Sequence, residues 1–218
     1  IEPLQTVAVK KHIEFTNLRF KYNHSDEFEL RADKVYLERG EVVAIIGDSG
    51  SGKSTLVDLL MGLLFPTQGR VTIDQARFDI GENIDWRRNI AHVAQKLHFI
   101  GGTVAENIAF GVAKEAVDIR RVQHCLRLVN WNVDPTHGVT NAMEKVVLAD
   151  AVNLSGGERQ RIGIARALYL DRPILVLDEA TNALNFEAEM QILENILGFQ
   201  FHPEKSQELG EELFKIII

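Results

Sequence analysis

Val42-Val43-Ala44-Ile45-Ile46-Gly47-Asp48-Ser49-Gly50-Ser51-Gly52-Lys53-Ser54-Thr55 joins an apolar run to a glycine-rich loop and then to a helical pattern. An uninterrupted apolar run ending in glycine reads as a buried parallel strand. From Lys53 to Leu64 apolar residues recur at helical spacing, until Pro66 closes the pattern. Between the two lies glycine, four residues, then glycine-lysine-serine, placed after a strand and at the start of a helix. Glycines let the backbone curl so that several N–H groups converge on one point. The helix N-terminus adds about half a positive charge at the same spot. Lys53 can reach terminal phosphates, and the Ser54 hydroxyl can ligate Mg2+. Gly47, Asp48, Ser49, Gly50, Ser51, Gly52, Lys53, Ser54 and Thr55 are therefore expected to cradle the phosphates of ATP.

A second apolar run, Ile174 to Leu177, delivers Asp178 and Glu179 at its C-terminal end. Ligands of open α/β sheets bind at those ends. Asp178 is expected to hold Mg2+, directly or through water. Glu179 is expected beside the γ-phosphate, placed to polarise an attacking water. Acids there can also simply cap the following helix, but beside a phosphate loop the catalytic reading is favoured. The two elements together predict ATP binding with Mg2+, and the second acid predicts hydrolysis.

The remaining chain fits an α/β fold. Ile13 to Tyr22 alternates apolar and polar residues like a strand with one wet face, and Val35 to Glu38 reads as its partner. Arg70–Asp74 and Asn89–Ala94 read as further strands. Helices are expected over Thr103–Phe110, Val117–Trp131, Ser155–Leu170 and Phe186–Leu197, with an irregular polar stretch from Asn132 to Asn153. Strands alternating with helices imply a mostly parallel sheet covered on both faces. The helix-rich middle, about residues 97–168, is expected to be a lobe inserted into that sheet.

The chain has 218 residues, 45% of them hydrophobic, enough for one well-packed core. Its formal charge of -7 argues against binding nucleic acid through overall charge. The one cysteine, Cys125, forms no intrachain disulfide, fits a reducing compartment and reads as a small buried residue of a helix. No apolar run approaches the ~20 residues needed to cross a bilayer, and no signal-peptide pattern stands at the N-terminus. The chain begins without methionine and is expected to be part of something longer.

Leu154-Ser155-Gly156-Gly157-Glu158-Arg159-Gln160-Arg161 is the most specific string. A serine and two glycines open a long helix, giving an N-cap with bare backbone donors and thus a second anion site. One ATP reaches both this site and the phosphate loop only if the two belong to different molecules. A head-to-tail pair with two ATPs at the interface is the economical geometry.

This string resembles the signature motif of ABC-type ATPases, whose fold is a P-loop NTPase core with an antiparallel β subdomain and an inserted helical signature subdomain. The resemblance covers Ile13 to Leu197. It implies that Ser155, Gly156, Gly157 and Glu158 act in trans on a partner's ATP, and that Gln95 is the glutamine that touches Mg2+ and faces the transport domain. It also implies that Tyr22 stacks on adenine. Gly102-Thr103-Val104-Ala105-Glu106-Asn107-Ile108 and Leu177-Asp178-Glu179-Ala180-Thr181 are similar to exporter ATPase domains. The resemblance thus implies a transmembrane domain fused N-terminally, with residues 1–11 as linker and 12–218 as the ATPase domain, on the cytoplasmic face of a membrane. A soluble ABC ATPase of DNA repair or translation is the alternative.

Three departures from the family pattern stand out. Asn185 replaces the usual aspartate of the alanine-leucine-aspartate loop, keeping hydrogen bonding without charge. The stretch Val147-Leu148-Ala149-Asp150-Ala151-Val152 lacks the glycine-glutamate pair of exporters, with Asp150 one position off the glutamate. Leu213 to Ile218 resembles the strand before the family's switch histidine, which is expected beyond the C-terminus; His202 is the less favoured candidate for it, because it follows no strand and Pro203 marks a loop. Slow turnover by this fragment alone is the corresponding expectation.

Overall fold

The computed structural model describes residues 9–23, 29–48, 50–74, 76–78, 84–131, 143–178, 187–188, 191–193 and 214–217. The chain divides into two compact units: Ile1–Ala91 with Arg172–Val176 and Glu211–Ile218, and His92–Asp171 with Leu177–Gly210.

In the first unit, β1 (His12–Lys21) lies between β2 (Glu29–Glu38) and β4 (Gln68–Ile73), with β5 (Ala76–Phe78) beyond, all antiparallel. The buried residues of β1 are Ile13, Phe15, Leu18 and Phe20, so the parity of the alternation changes midway. Such a change needs one extra residue in the strand. Asn17 supplies it, at φ 53, where the β1–β4 register shifts.

The strand before the glycine loop, β3 (Val42–Ile45), is followed by helix α1 (Lys53–Leu60). The helix ends before the expected Leu64. Gly62, at φ 71, takes the left-handed position beyond the cap; its N–H reaches Leu59 O at 3.1 Å and that of Leu63 reaches Asp58 O at 2.8 Å. These bonds satisfy the last carbonyls and stop the helix four residues early. Trp86 of the short helix α2 (Ile84–Arg87) donates its indole N–H to Leu60 O at 2.8 Å. Val57, Leu60 and Met61 then pack with Ile13, Phe15, Leu37, Val71 and Ile73 of the sheet, Trp86, and Ile174 and Val176, forming one core.

A second sheet has the order β3–β10–β9–β6, with β6 Ile90–Val93, β9 Ile174–Asp178 and β10 Phe214–Ile217. Ile174 to Leu177 are all buried, as the apolar run predicted. Two details depart from the expected parallel, buried arrangement. β10 runs antiparallel to β3, and β3, at the end of the order of described strands, is half-buried with Ala44 exposed. An end strand has a neighbour on one side, so its apolar run is less covered than one inside a sheet.

The second unit is helical. Beside helices α3 (Val104–Ile108), α4 (Ile119–Leu128) and α5 (Gly156–Tyr169) it holds a two-stranded antiparallel ribbon, in which β7 (Gly102–Thr103), just before α3, pairs with β8 (Val146–Val147), between α4 and α5. All three helices start on side-chain caps, namely Thr103, Asp118 and Ser155. Val122, Cys125 and Leu126 of α4 and Ile162, Ile164 and Ala165 of α5 are buried. Burial raises the Cys125 thiol to about 11. Among the described residues no helix is long and apolar enough to cross a membrane.

Candidate functional site

The loop after β3 is shaped by its backbone. Gly50 (φ 79) and Gly52 (φ 97) occupy left-handed conformations that a side chain disfavours. Ser51 N–H bonds Asp48 O at 3.1 Å and Leu56 N–H bonds Gly52 O at 2.8 Å, so the loop turns directly into α1. Gly52 caps that helix with no side-chain hydrogen bond, and the first turn carries no acid. No carboxylate of α1 therefore competes for its electropositive end.

Lys53 is only 6% exposed. Its ammonium donates to Gly47 O at 2.5 Å and Asp48 O at 2.8 Å, which folds the side chain back over the loop. Ser54 is exposed, and Thr55 is buried. The Tyr22 hydroxyl and Thr55 Oγ1 are 3.1 Å apart, so the residue that follows β1 is tied to the first turn of α1. The Tyr22 ring meets Phe20 edge-on at 4.8 Å and is 43% exposed. Tyr22 and Thr55 are 33 positions apart, so no local pattern in the sequence pairs them. Ser49 and Glu179 lie outside the described residues, as does Asn185.

Asp178 stands half-buried at the C-terminal end of β9, and Gln95 is exposed just after β6. Asp178 is where the apolar run was expected to deliver it, and Gln95 lies two residues beyond β6.

At the start of α5 the geometry refines the expectation of bare donors. Ser155 and Glu158 form a reciprocal capping box. Ser155 Oγ accepts from Glu158 N–H at 3.2 Å, and Glu158 Oε2 accepts from Ser155 N–H at 2.8 Å. Two of the donors are thus taken, and the first-turn donors outside the box are Gly156 and Gly157 N–H. Glu158 Oε1 meets the Lys145 ammonium. Burial pushes the Glu158 carboxyl up, but the Lys145 ammonium and the Ser155 bonds outweigh it and hold it below its ordinary value. Arg159 donates to Leu154 O at 2.8 Å, bracing the turn that leads in. Just before, Asp150 (φ 58) and Ala151 (φ 52) are both left-handed without being glycine, a strained pair. Asp150 is exposed and Ala151 fully buried.

The sequence reading missed how the segment after Gln95 is held. Leu97 seats on α5 where residue 163 is glycine, and a Cβ there would lie 2.5 Å from Leu97 Cδ1. Arg166 donates to His98 O at 2.9 Å and Asn107 O at 2.8 Å. Its guanidinium lies 5.3 Å from the Phe99 ring centroid and 5.1 Å from that of Phe110. Asn107, fully buried, accepts from Ile100 N–H at 3.1 Å and donates to the carbonyls of Ile100 at 3.0 Å and Thr103 at 3.1 Å. A signal was present: Arg166 falls four residues after Ile162 and three before Tyr169, both apolar positions of one helix face.

Known proteins match this arrangement. A family model described as "ABC transporter" matches residues 30–182. The ATP-dependent lipid A-core flippase of Cupriavidus metallidurans is 41% identical over 179 residues, 82% of this chain and 30% of that protein. The flippase of the same name from Ralstonia nicotianae is 38% identical over 200 residues, 87% of this chain and 33% of that protein. This chain therefore spans about a third of the length of these relatives. Among solved structures, a bacterial Atm1-family ABC exporter with ATP bound is similar with a TM-score of 0.74 and 29% identity, over 93% of this chain and 35% of that one. With a mixed α/β fold, a glycine loop opening α1 and a capped signature helix, the chain belongs to the ABC transporter family.

Proposed function

We propose that this chain is the ATP-binding and ATP-hydrolysing motor of a membrane exporter. The observation that carries the proposal is the loop at α1: two left-handed glycines, a helix start with neither a side-chain cap bond nor an acid in its first turn, and a buried Lys53. An ammonium and converging N–H groups in a partly dry site suit a triphosphate and the charge that develops on its transfer. Support comes also from relatives named as ATP-dependent flippases and from a similar exporter structure that holds ATP.

The roles then follow. The phosphates of ATP lie on Gly47–Thr55, and the exposed Tyr22 ring takes the adenine. Glu179 orients water for in-line attack while Lys53 neutralises charge on the transferred group. Ser54, Gln95 and Asp178 are the residues that would hold Mg2+. They are oxygen donors, as a hard cation requires, and among the described residues no cluster of three His, Cys, Asp or Glu offers a self-sufficient cage. Such a donor set suits a metal that takes one or two carboxylates and completes its shell from phosphate and water. Mg2+ would supply neutralisation of phosphate charge.

The Ser155 hydroxyl with Gly156 and Gly157 N–H would engage the ATP of a second domain in a head-to-tail dimer, with Glu158 fixing the cap. Loss of the γ-phosphate removes what bridges the halves, so the closed state gives way to the open one. A transmembrane domain, N-terminal on the same polypeptide, would turn that opening into transport from the cytoplasmic face, with no nucleic acid involved. The proposal concerns the motor, because cargo would be recognised by the two thirds of the relatives that this chain does not match. Phosphate release by the full-length protein tests it: ATP-dependent turnover lost in Lys53→Met is expected. Turnover unaffected by Lys53→Met, or absent from the unaltered protein, would refute it.

A further inference from the structure

We propose that Lys145 is a positioning residue for the Ser155–Gly157 end of α5, acting by holding and neutralising Glu158. The inference rests on the reading that this end receives the γ-phosphate of a partner's ATP.

The two carboxylate oxygens of Glu158 have different partners. One accepts Ser155 N–H at 2.8 Å and the other meets the Lys145 ammonium. Ser155 Oγ already accepts Glu158 N–H at 3.2 Å, so the hydroxyl keeps its proton for another acceptor. The box therefore sets how the serine presents its donor, and the position of Glu158 sets the box.

Glu158 also carries a cost for an anion site. A full negative charge in the first turn outweighs the half positive charge of the helix end. A phosphate approaching Ser155 would be repelled. The Lys145 ammonium makes the pair neutral and leaves the helix end electropositive. Lys145 is itself anchored away from α5. Its carbonyl accepts Val104 N–H at 3.0 Å, in the first turn of α3, and its ammonium lies 5.6 Å from the centroid of buried Trp131. The cap of α5 is thereby referenced to α3 and to the Trp131 side chain.

The test is ATP-dependent turnover of the full-length protein in four variants: Lys145→Met, Lys145→Arg, Glu158→Gln and the Lys145→Met/Glu158→Gln double. Lys145→Met should raise the KM for ATP roughly 3- to 10-fold while kcat stays within about 2-fold, the signature of lost uniform binding. Lys145→Arg should stay within about 2-fold of the unaltered protein in both. In the Glu158→Gln background, where there is no charge to neutralise, Lys145→Met should shift KM by less than about 2-fold. A lysine that merely packs would cost the same in both backgrounds. Equal shifts in the two backgrounds, or an unchanged KM in Lys145→Met, would overturn the assignment while leaving the ATPase reading intact. An unaltered protein with no turnover sensitive to Lys53→Met would overturn both.

Discussion

Replacing Asn107 by alanine should loosen the segment that follows Gln95. The carboxamide is fully buried and makes three bonds of 3.0–3.1 Å, two with Ile100 and one with Thr103, besides a long one accepted from Arg166 at 3.5 Å that adds little. Each such bond contributes about 1 kcal/mol net, and a buried group left unpaired costs about 1–3 kcal/mol. Ile100 is 43% exposed, so water can reach part of what alanine uncovers and the penalty falls toward its lower end. A loss of about 2–4 kcal/mol results. For a chain of this length each kcal/mol lowers Tm by about 2–4 °C, so a mid-range loss corresponds to about 6–12 °C. Arg166 bonds the main-chain oxygen of residue 107, which alanine retains, so the α3–α5 link survives and the loss reports on the carboxamide. Thermal unfolding gives the magnitude, and hydrogen exchange at the Ile100 amide gives the location. A Tm drop below about 2 °C with unchanged Ile100 exchange would refute the reasoning.

Further outcomes follow from other residues. Asp150→Gly should raise stability by up to about 0.5 kcal/mol, because glycine relieves the left-handed strain at φ 58, gives back part of the gain in unfolded-state entropy and, at this exposed position, removes no buried atoms; a lowered Tm would contradict this. Glu179→Gln should accumulate an ATP-bound dimer, detectable as a shift to larger size when Mg-ATP is added; a species that stays monomeric counts against the head-to-tail scheme. The folded-state carboxyl of Glu158 lies below its ordinary value, so its stabilisation is present above the ordinary glutamate range and disappears as pH falls through the folded pKa. Denaturant midpoints taken from neutral to acid pH should therefore fall less steeply in Glu158→Gln than in the unaltered protein. Cys125, 2% exposed and with its thiol pushed up to about 11, should resist alkylation in the native state and react once urea unfolds the chain; fast native labelling would contradict its burial.

Much of this protein is decided by residues that act on their immediate neighbours along the chain. Gly50 and Gly52 permit left-handed turns, Thr103, Asp118 and Ser155 cap helices, and Ile174 to Leu177 form a strand. Each is a statement about one backbone stretch and its nearest side chains, so residue type and spacing suffice. Even the parity change in β1 was present in the positions of Phe15 and Leu18, although only the bulge at Asn17 explains it.

What the tertiary structure alone decided is who partners whom. The stop of α1 at Gly62 required knowing that its last carbonyls find Gly62 and Leu63 N–H before Pro66 matters. Tyr22 reaches Thr55, Arg166 reaches His98, and Lys145 reaches Glu158 only after packing brings distant stretches together. A lysine or arginine in a sequence is a long flexible chain with donors and no stated acceptor. Its partner is chosen by which surfaces the core forces into contact, and that choice is made by burial summed over the whole unit rather than by any local pattern.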